Sequence, residues 1–107
     1  MDVEKFRPNA PRAATLLKSM GNERRLMILC YLANGEKTVG ELERLIGISQ
    51  SALSQHLARL RRDRLVQTRR AAQNIFYSLH GDECLTMLQT LQGYYGNAGS
   101  RQVANGR

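Results

Sequence analysis

The stretch TVGELERLIGISQSALSQHLARLRRD, residues 38–63, decides how this chain folds. Thr38 followed three residues later by Glu41 is a capping box, in which the hydroxyl accepts from a helical amide and the carboxylate reaches back to the cap. It opens a short helix carrying Val39, Leu42, Leu45 and Ile46, and Gly47 stops that helix. Only Gly47 and Ile48 stand between it and Ser49, a second cap. From Ser49 the apolar residues Leu53, Leu57 and Leu60 recur at i, i+4 and i+7, one stripe on a helix that is otherwise polar or basic. Two helices joined by so tight a turn outline a helix-turn-helix.

Working outward, Asn22 is placed to cap a helix through about Ala33, with Leu26, Leu29, Cys30 and Leu32 at helical spacing and Asn34 and Gly35 as its stop. Pro11 suits the first turn of an earlier helix over 11–20. Residues 1–10, with Pro8, mixed charge and no periodicity, read as an arm. Beyond Leu65 the period drops to two. Residues 66–70 and 74–78 are β-compatible, and three or four residues around Ala71 and Gln73 join them into a hairpin with an Arg-bearing tip. Asp82 is placed to cap a last helix ending near Tyr95, where Cys84, Leu88, Leu91 and Tyr95 share a stripe that Met87 and Tyr94 widen. Residues 97–107 are Gly- and Asn-rich and read as a disordered tail. The fold class is therefore mainly α with a small β-hairpin, in the order α-α-α-α-β-β-α. It is a winged helix-turn-helix domain over 11–96, homodimeric because its last helix is more apolar than so thin a core requires.

Composition excludes several function classes. At 107 residues the chain makes one small domain, too short for a large enzyme with a deep cleft. No run approaches the 18 or more apolar residues of a membrane span, and MDVEKFRPNAP lacks the apolar core of a secretory signal, so the expected location is cytoplasmic. Two cysteines do not make a disulfide scaffold and are expected as thiols. The absence of Trp and an aromatic content of 6% argue against a stacking platform for single-stranded nucleic acid.

Charge points to the partner. Sixteen Lys and Arg against nine Asp and Glu make +7, and residues 59–70 hold six arginines against Asp63 alone, a net +5. Charge focused on one surface neutralises phosphates, whereas a solvated helix face would serve only solubility. Off the leucine stripe the helix after Ser49 carries Gln50, Ser51, Ser54, Gln55 and Arg59, groups that hydrogen-bond base edges and phosphates in a major groove. The expected partner is a double-stranded DNA operator. A basic module that docks an acidic protein, with DNA binding lost, is the competing reading.

The run from Asn22 to Leu79, with ERRLMIL, SQSALSQHLARLR and LVQTRR followed by IFYSL, resembles the ArsR/SmtB family of bacterial winged-helix repressors, and within it the branch containing HlyU, BigR and NolR. The resemblance covers residues from about 13 to 96. It implies a homodimer that binds an inverted-repeat operator and blocks transcription. It places Gln50, Ser51, Ser54, Gln55 and His56 on the recognition helix, with Arg59 and Arg62 following, and Arg69, Arg70 and Gln73 on the wing. It also implies a dimer interface from the first and last helices, through Leu17, Met20, Leu88, Leu91 and Tyr95.

Many members of that family release DNA when metal binds, through a Cys-x-Cys pair on the third helix or Asp and His ligands on the last. Here the third helix reads VGELERL, and only His80, Asp82 and Glu83 stand near the last, so no metal site and no cofactor are expected. Cys30 reads as a small buried hydrophobe, the usual state of a free cysteine. The branch resemblance offers a redox alternative, a thiol pair between this ILC position and the end of the last helix, where this chain has Gly96. Cys84 lies about 18 Å earlier along the helix, while a disulfide needs Cα atoms within about 7 Å. An intrachain Cys30–Cys84 switch is not expected; a lone oxidised thiol, a pair across the dimer, or a repressor with no inducer remain as readings. No nucleophile, base or metal set surrounds His56 or the serines, so the chain is not expected to be an enzyme.

Overall fold

The computed structural model describes residues 1–96; the tail expected over 97–107 lies outside the described residues. The chain runs through α1 (Val3–Phe6), a 3-10 turn (Arg7–Asn9), α2 (Ala10–Met20), α3 (Glu23–Ala33), β1 (Lys37–Thr38), α4 (Val39–Ile46), α5 (Gln50–Arg62), β2 (Val66–Ala71), β3 (Asn74–Leu79) and α6 (Glu83–Tyr95). The anticipated winged helix-turn-helix is present. Its caps form as the residues dictate: Thr38 Oγ1 accepts from the Glu41 amide at 3.2 Å, and Glu41 Oε1 accepts from the Thr38 amide at 2.8 Å. Gly47, at φ 78, supplies the left-handed residue that ends α4, and Ser49 Oγ accepts from the Ala52 amide to start α5.

Leu53, Leu57 and Leu60 are all fully buried, so the stripe that identified α5 is the face that seats it on the core. Ile28, Leu29, Leu32 and Leu42 extend that core, with Leu65 and Val66 at the start of β2 and Cys84 on α6. The end of α5 is a Schellman motif: the Leu65 amide donates to Leu60 O at 2.9 Å and the Arg64 amide to Arg61 O at 3.1 Å. That motif wants glycine at its left-handed position, and here Arg64 occupies it at φ 64. Arg64→Gly is expected to raise stability by about 1 kcal/mol, a rise of roughly 5 °C in Tm by thermal melting. A fall in Tm would show that the Arg64 side chain contributes more to the fold than its backbone costs.

Four features depart from the sequence reading. Residues 1–10 are helical through most of their length: Asp2 Oδ1 accepts from the Lys5 amide at 3.2 Å, and Arg7 pairs with Glu4 at 2.8 Å, so local capping and an i, i+3 pair suffice. The sheet has three strands in the order β1-β3-β2, because Lys37 and Thr38 pair with Tyr77 and Phe76. Two residues carry no readable period, which is why β1 escaped the pattern. The hairpin link is two residues, Ala72 and Gln73, with Ala71 paired to Asn74 and Ala72 at φ 56. Asp82 occupies the cap position of α6, but its side chain makes no capping hydrogen bond.

Burial also corrects one assignment and locates the residues read onto the dimer face. Cys30 is exposed, because it falls about 200° round α3 from the buried Ile28, on the side of exposed Met27. Met20 and Leu88, expected on the dimer face, are buried in the protomer's own core. Leu17 and Tyr95 do stand out, 54% and 67% exposed, beside exposed Phe6 and Tyr94, and Leu91 is half-buried.

Candidate nucleic-acid interface

Helix α5 presents one continuous outer face. With Leu53, Leu57 and Leu60 turned inward, the 3.6-residue period turns Gln50, Ser51, Ser54, Gln55, Ala58, Arg61 and Arg62 outward, and all are exposed. Its N-terminal half is uncharged and hydrogen-bonding; its C-terminal end is cationic. The four expected base-reading residues, Gln50, Ser51, Ser54 and Gln55, thus sit together. His56 does not join them. It is half-buried on the side of α3, where desolvation first, and then Arg25 and Arg24, push its imidazole below the ordinary range, so it stays neutral at pH 7.

The arginines divide into engaged and available groups. Arg59 turns off the outer face, and its Nε donates to Asp63 Oδ2 at 3.3 Å; Arg62 Nε donates to Asp63 Oδ1 at the same distance. Burial alone would raise the Asp63 carboxyl, but hydrogen bonds from Arg62 and Arg59 hold it below the usual carboxylate range. The carboxylate therefore fastens two arginines at the end of α5, beside Ser19 of α2. Arg25 reinforces that corner, donating to Ser19 O at 2.7 Å and Lys18 O at 3.3 Å and so closing the carbonyl end of α2. Among the described residues Arg61 and Arg70 have no ion-pair or hydrogen-bond partner, and both are exposed.

Arg61 was not among the residues singled out from the sequence, because a run of arginines does not say which one faces outward. With Arg62, Ser54, Leu57, Ala58 and Tyr77 it lines a groove of about 470 Å³ between α5 and the hairpin. A helix offering polar groups to base edges, flanked by a groove with two guanidinium groups, matches the division of labour at a DNA duplex, where bases specify and phosphates position. On the wing, Gln73 sits exposed in the hairpin link beside exposed Arg70. Arg69 instead stacks over the Phe76 ring, 4.5 Å from its centroid, and pairs with Glu36.

The thiols differ. Cys84 is buried and its thiol is pushed up to about 11, by desolvation first and by the neighbouring Cys30 second. Cys30 is exposed, yet desolvation raises its thiol as well. Among the described residues neither has a cation beside it that would favour the thiolate. Among the described residues no three His, Cys, Asp or Glu side chains gather into a group that could hold a metal ion. His80 instead meets Gln67 Oε1 at 3.1 Å, and Glu83 accepts from Arg12 at 3.0 Å. No described helix is long and apolar enough to cross a membrane.

Residues 22–68 match the model of a bacterial regulatory protein family, the arsR family. The chain is 50% identical over 95 residues to the transcriptional activator HlyU of Vibrio cholerae, covering 89% of this chain and 88% of that protein. Its fold superposes on the transcriptional repressor BigR from Xylella fastidiosa with a TM-score of 0.83 at 40% identity, over 89% of this chain and 97% of that one. It also superposes on a homodimeric winged helix-turn-helix DNA-binding domain from Mycobacterium bovis, with a TM-score of 0.75 at 26% identity, over 92% and 89% of the two chains.

Proposed function

The chain belongs to the ArsR family of bacterial regulatory proteins, in the branch that holds HlyU and BigR, and from that premise we propose that it is a homodimeric repressor of an inverted-repeat operator. It is a DNA-binding transcriptional regulator, of a family that is not enzymatic. The observation that carries the finer reading is the outer face of α5, where four exposed hydrogen-bonding side chains precede two exposed arginines. Residues 11–96 form the domain that binds DNA and dimerises. Two α5 helices related by a two-fold axis enter successive major grooves about one helical turn apart. Gln50, Ser51, Ser54 and Gln55 read bases, Arg61, Arg62 and Arg70 neutralise phosphates, and Gln73 reaches the flanking groove. The exposed apolar residues of α1, α2 and α6 supply the self-association face, through Phe6, Leu17, Tyr94 and Tyr95.

No metal enters this mechanism. Modulation by an oxidant or a reactive sulfur species acts at Cys30, the exposed thiol, and the alternative is a repressor with no inducer. Selection of genomic fragments by the full chain, reduced and oxidised side by side, tests the whole reading: recovery of a common inverted repeat supports it, and equal retention of unrelated duplexes sinks it. A shared site recovered in both redox states supports the inducer-free form. Within the recovered site, Gln55→Ala is expected to lose roughly 1–3 kcal/mol of discrimination at one base position in each half-site while non-specific affinity holds, checked by titrating single-base variants.

A further inference from the structure

Glu36 lies in the link between α3 and β1, thirty-three residues from Arg69, and no local pattern marks it. The fold brings them together through the β1–β3 pairing, which sets that link beside the base of the hairpin. Arg69 Nε donates to Glu36 Oε2 at 2.9 Å and to Oε1 at 3.2 Å, and Nη2 also donates to Oε1. With Phe76 under one face, the guanidinium is held at its edge by both oxygens of one carboxylate and on that face by a ring. The arrangement copies the two-pronged grip that arginine takes on a phosphate. The Arg69 side chain is nevertheless 55% exposed, so a phosphate can reach it once the carboxylate yields. Exposed pairs of this kind contribute little to fold stability, which leaves the placement of Glu36 unexplained as structural cement. The Arg69 hydrogen bond also holds the Glu36 carboxyl below its usual range, so it is charged at neutral pH.

We propose that Glu36 is a specificity-determining residue, an internal phosphate mimic that masks the wing arginine Arg69 on non-specific DNA. The inference rests on the DNA-binding reading above. Non-specific affinity for duplex DNA is almost wholly electrostatic, whereas operator affinity also draws on base contacts. On the operator the base contacts seat the wing against the backbone and a phosphate displaces the carboxylate, whereas on non-specific DNA the cation stays withheld, so the ratio between the two affinities rises. Arg70, exposed beside the same hairpin link, carries the unmasked charge of the wing.

The test uses the full chain and its Glu36→Gln, Glu36→Ala, Arg69→Ala and Glu36→Gln/Arg69→Ala variants, titrated against the selected operator and a scrambled duplex. Salt spans about 50–200 mM. Glu36→Gln is expected to bind scrambled duplex about tenfold tighter, with a salt slope steeper by about 0.9, while operator affinity rises less. Glu36→Ala gives the same gain, and Arg69→Ala abolishes it in the double variant. The inference is overturned if folded Glu36 variants keep the wild-type slope and scrambled affinity, or bind both duplexes more weakly. An operator-binding wild type with silent Glu36 variants sinks this inference alone. A wild type with no sequence-selective binding sinks the DNA-binding reading and this inference together.

Discussion

Placing charge at two of the exposed apolar positions, Leu17→Glu with Tyr95→Glu, is expected to give a monomer that loses at least about a hundredfold of operator affinity. Leu17 and Tyr95 project from α2 and α6, which the Arg12–Glu83 pair joins at 3.0 Å. In a two-fold interface the same patch serves both subunits, so each substitution enters twice and carboxylates are forced together in a desolvated seam. A dimer holds its second recognition helix near the second half-site, and splitting it removes that effective concentration without touching α5. Light scattering and circular dichroism check the state of the protein, and titration of a single half-site checks the cause. The monomer should bind one half-site as well as wild-type protein does. A double variant that remains dimeric at micromolar concentration would place the interface elsewhere. The dimer also predicts a Tm that rises with protein concentration.

Leu57→Ala should lower stability by about 2–5 kcal/mol, the usual cost of removing a leucine from a core that cannot close around the gap. Leu57 is 1% exposed and stands between Leu53 and Leu60, so α5, α3 and α4 converge on that stripe. A small domain has total stability of only about 5–15 kcal/mol, and each kcal/mol shifts Tm by roughly 4–8 °C, so the melt should move by at least about 8 °C. Ser54→Ala, one turn back on the outer face, should leave Tm within about 2 °C while lowering operator affinity. The pair separates the two faces of one helix. Equal effects on Tm from the two changes would mean that α5 is seated differently from the arrangement described.

Much of the fold was legible because its signals are local. The Thr38 and Ser49 caps, the Gly47 stop and the Leu53, Leu57, Leu60 stripe each involve residues within two turns of one another, and the structure keeps every one. The leucine stripe also determined the outer face of α5 by exclusion, and that is why Gln50, Ser51, Ser54 and Gln55 were found together. The +5 between Arg59 and Arg70 was equally visible. Its distribution was not. Arg59 is spent on Asp63, Arg69 faces Glu36 from a segment thirty-three residues away, and Arg61, passed over in the sequence, faces the groove.

Linear sequence alone settled the helices from α2 onward, the stop of α4 at Gly47 and which side of α5 faces outward, because periodicity and capping depend on neighbours along the chain. Packing decided the rest. It turned Cys30 outward and drew Met20 and Leu88 into the protomer core. It added β1 to the sheet through two residues too few to show a period, and in doing so brought Glu36 to Arg69. An apolar stripe states that a helix has a face to bury, while the width actually covered, and the charge left in solvent, depend on what distant segments place against it.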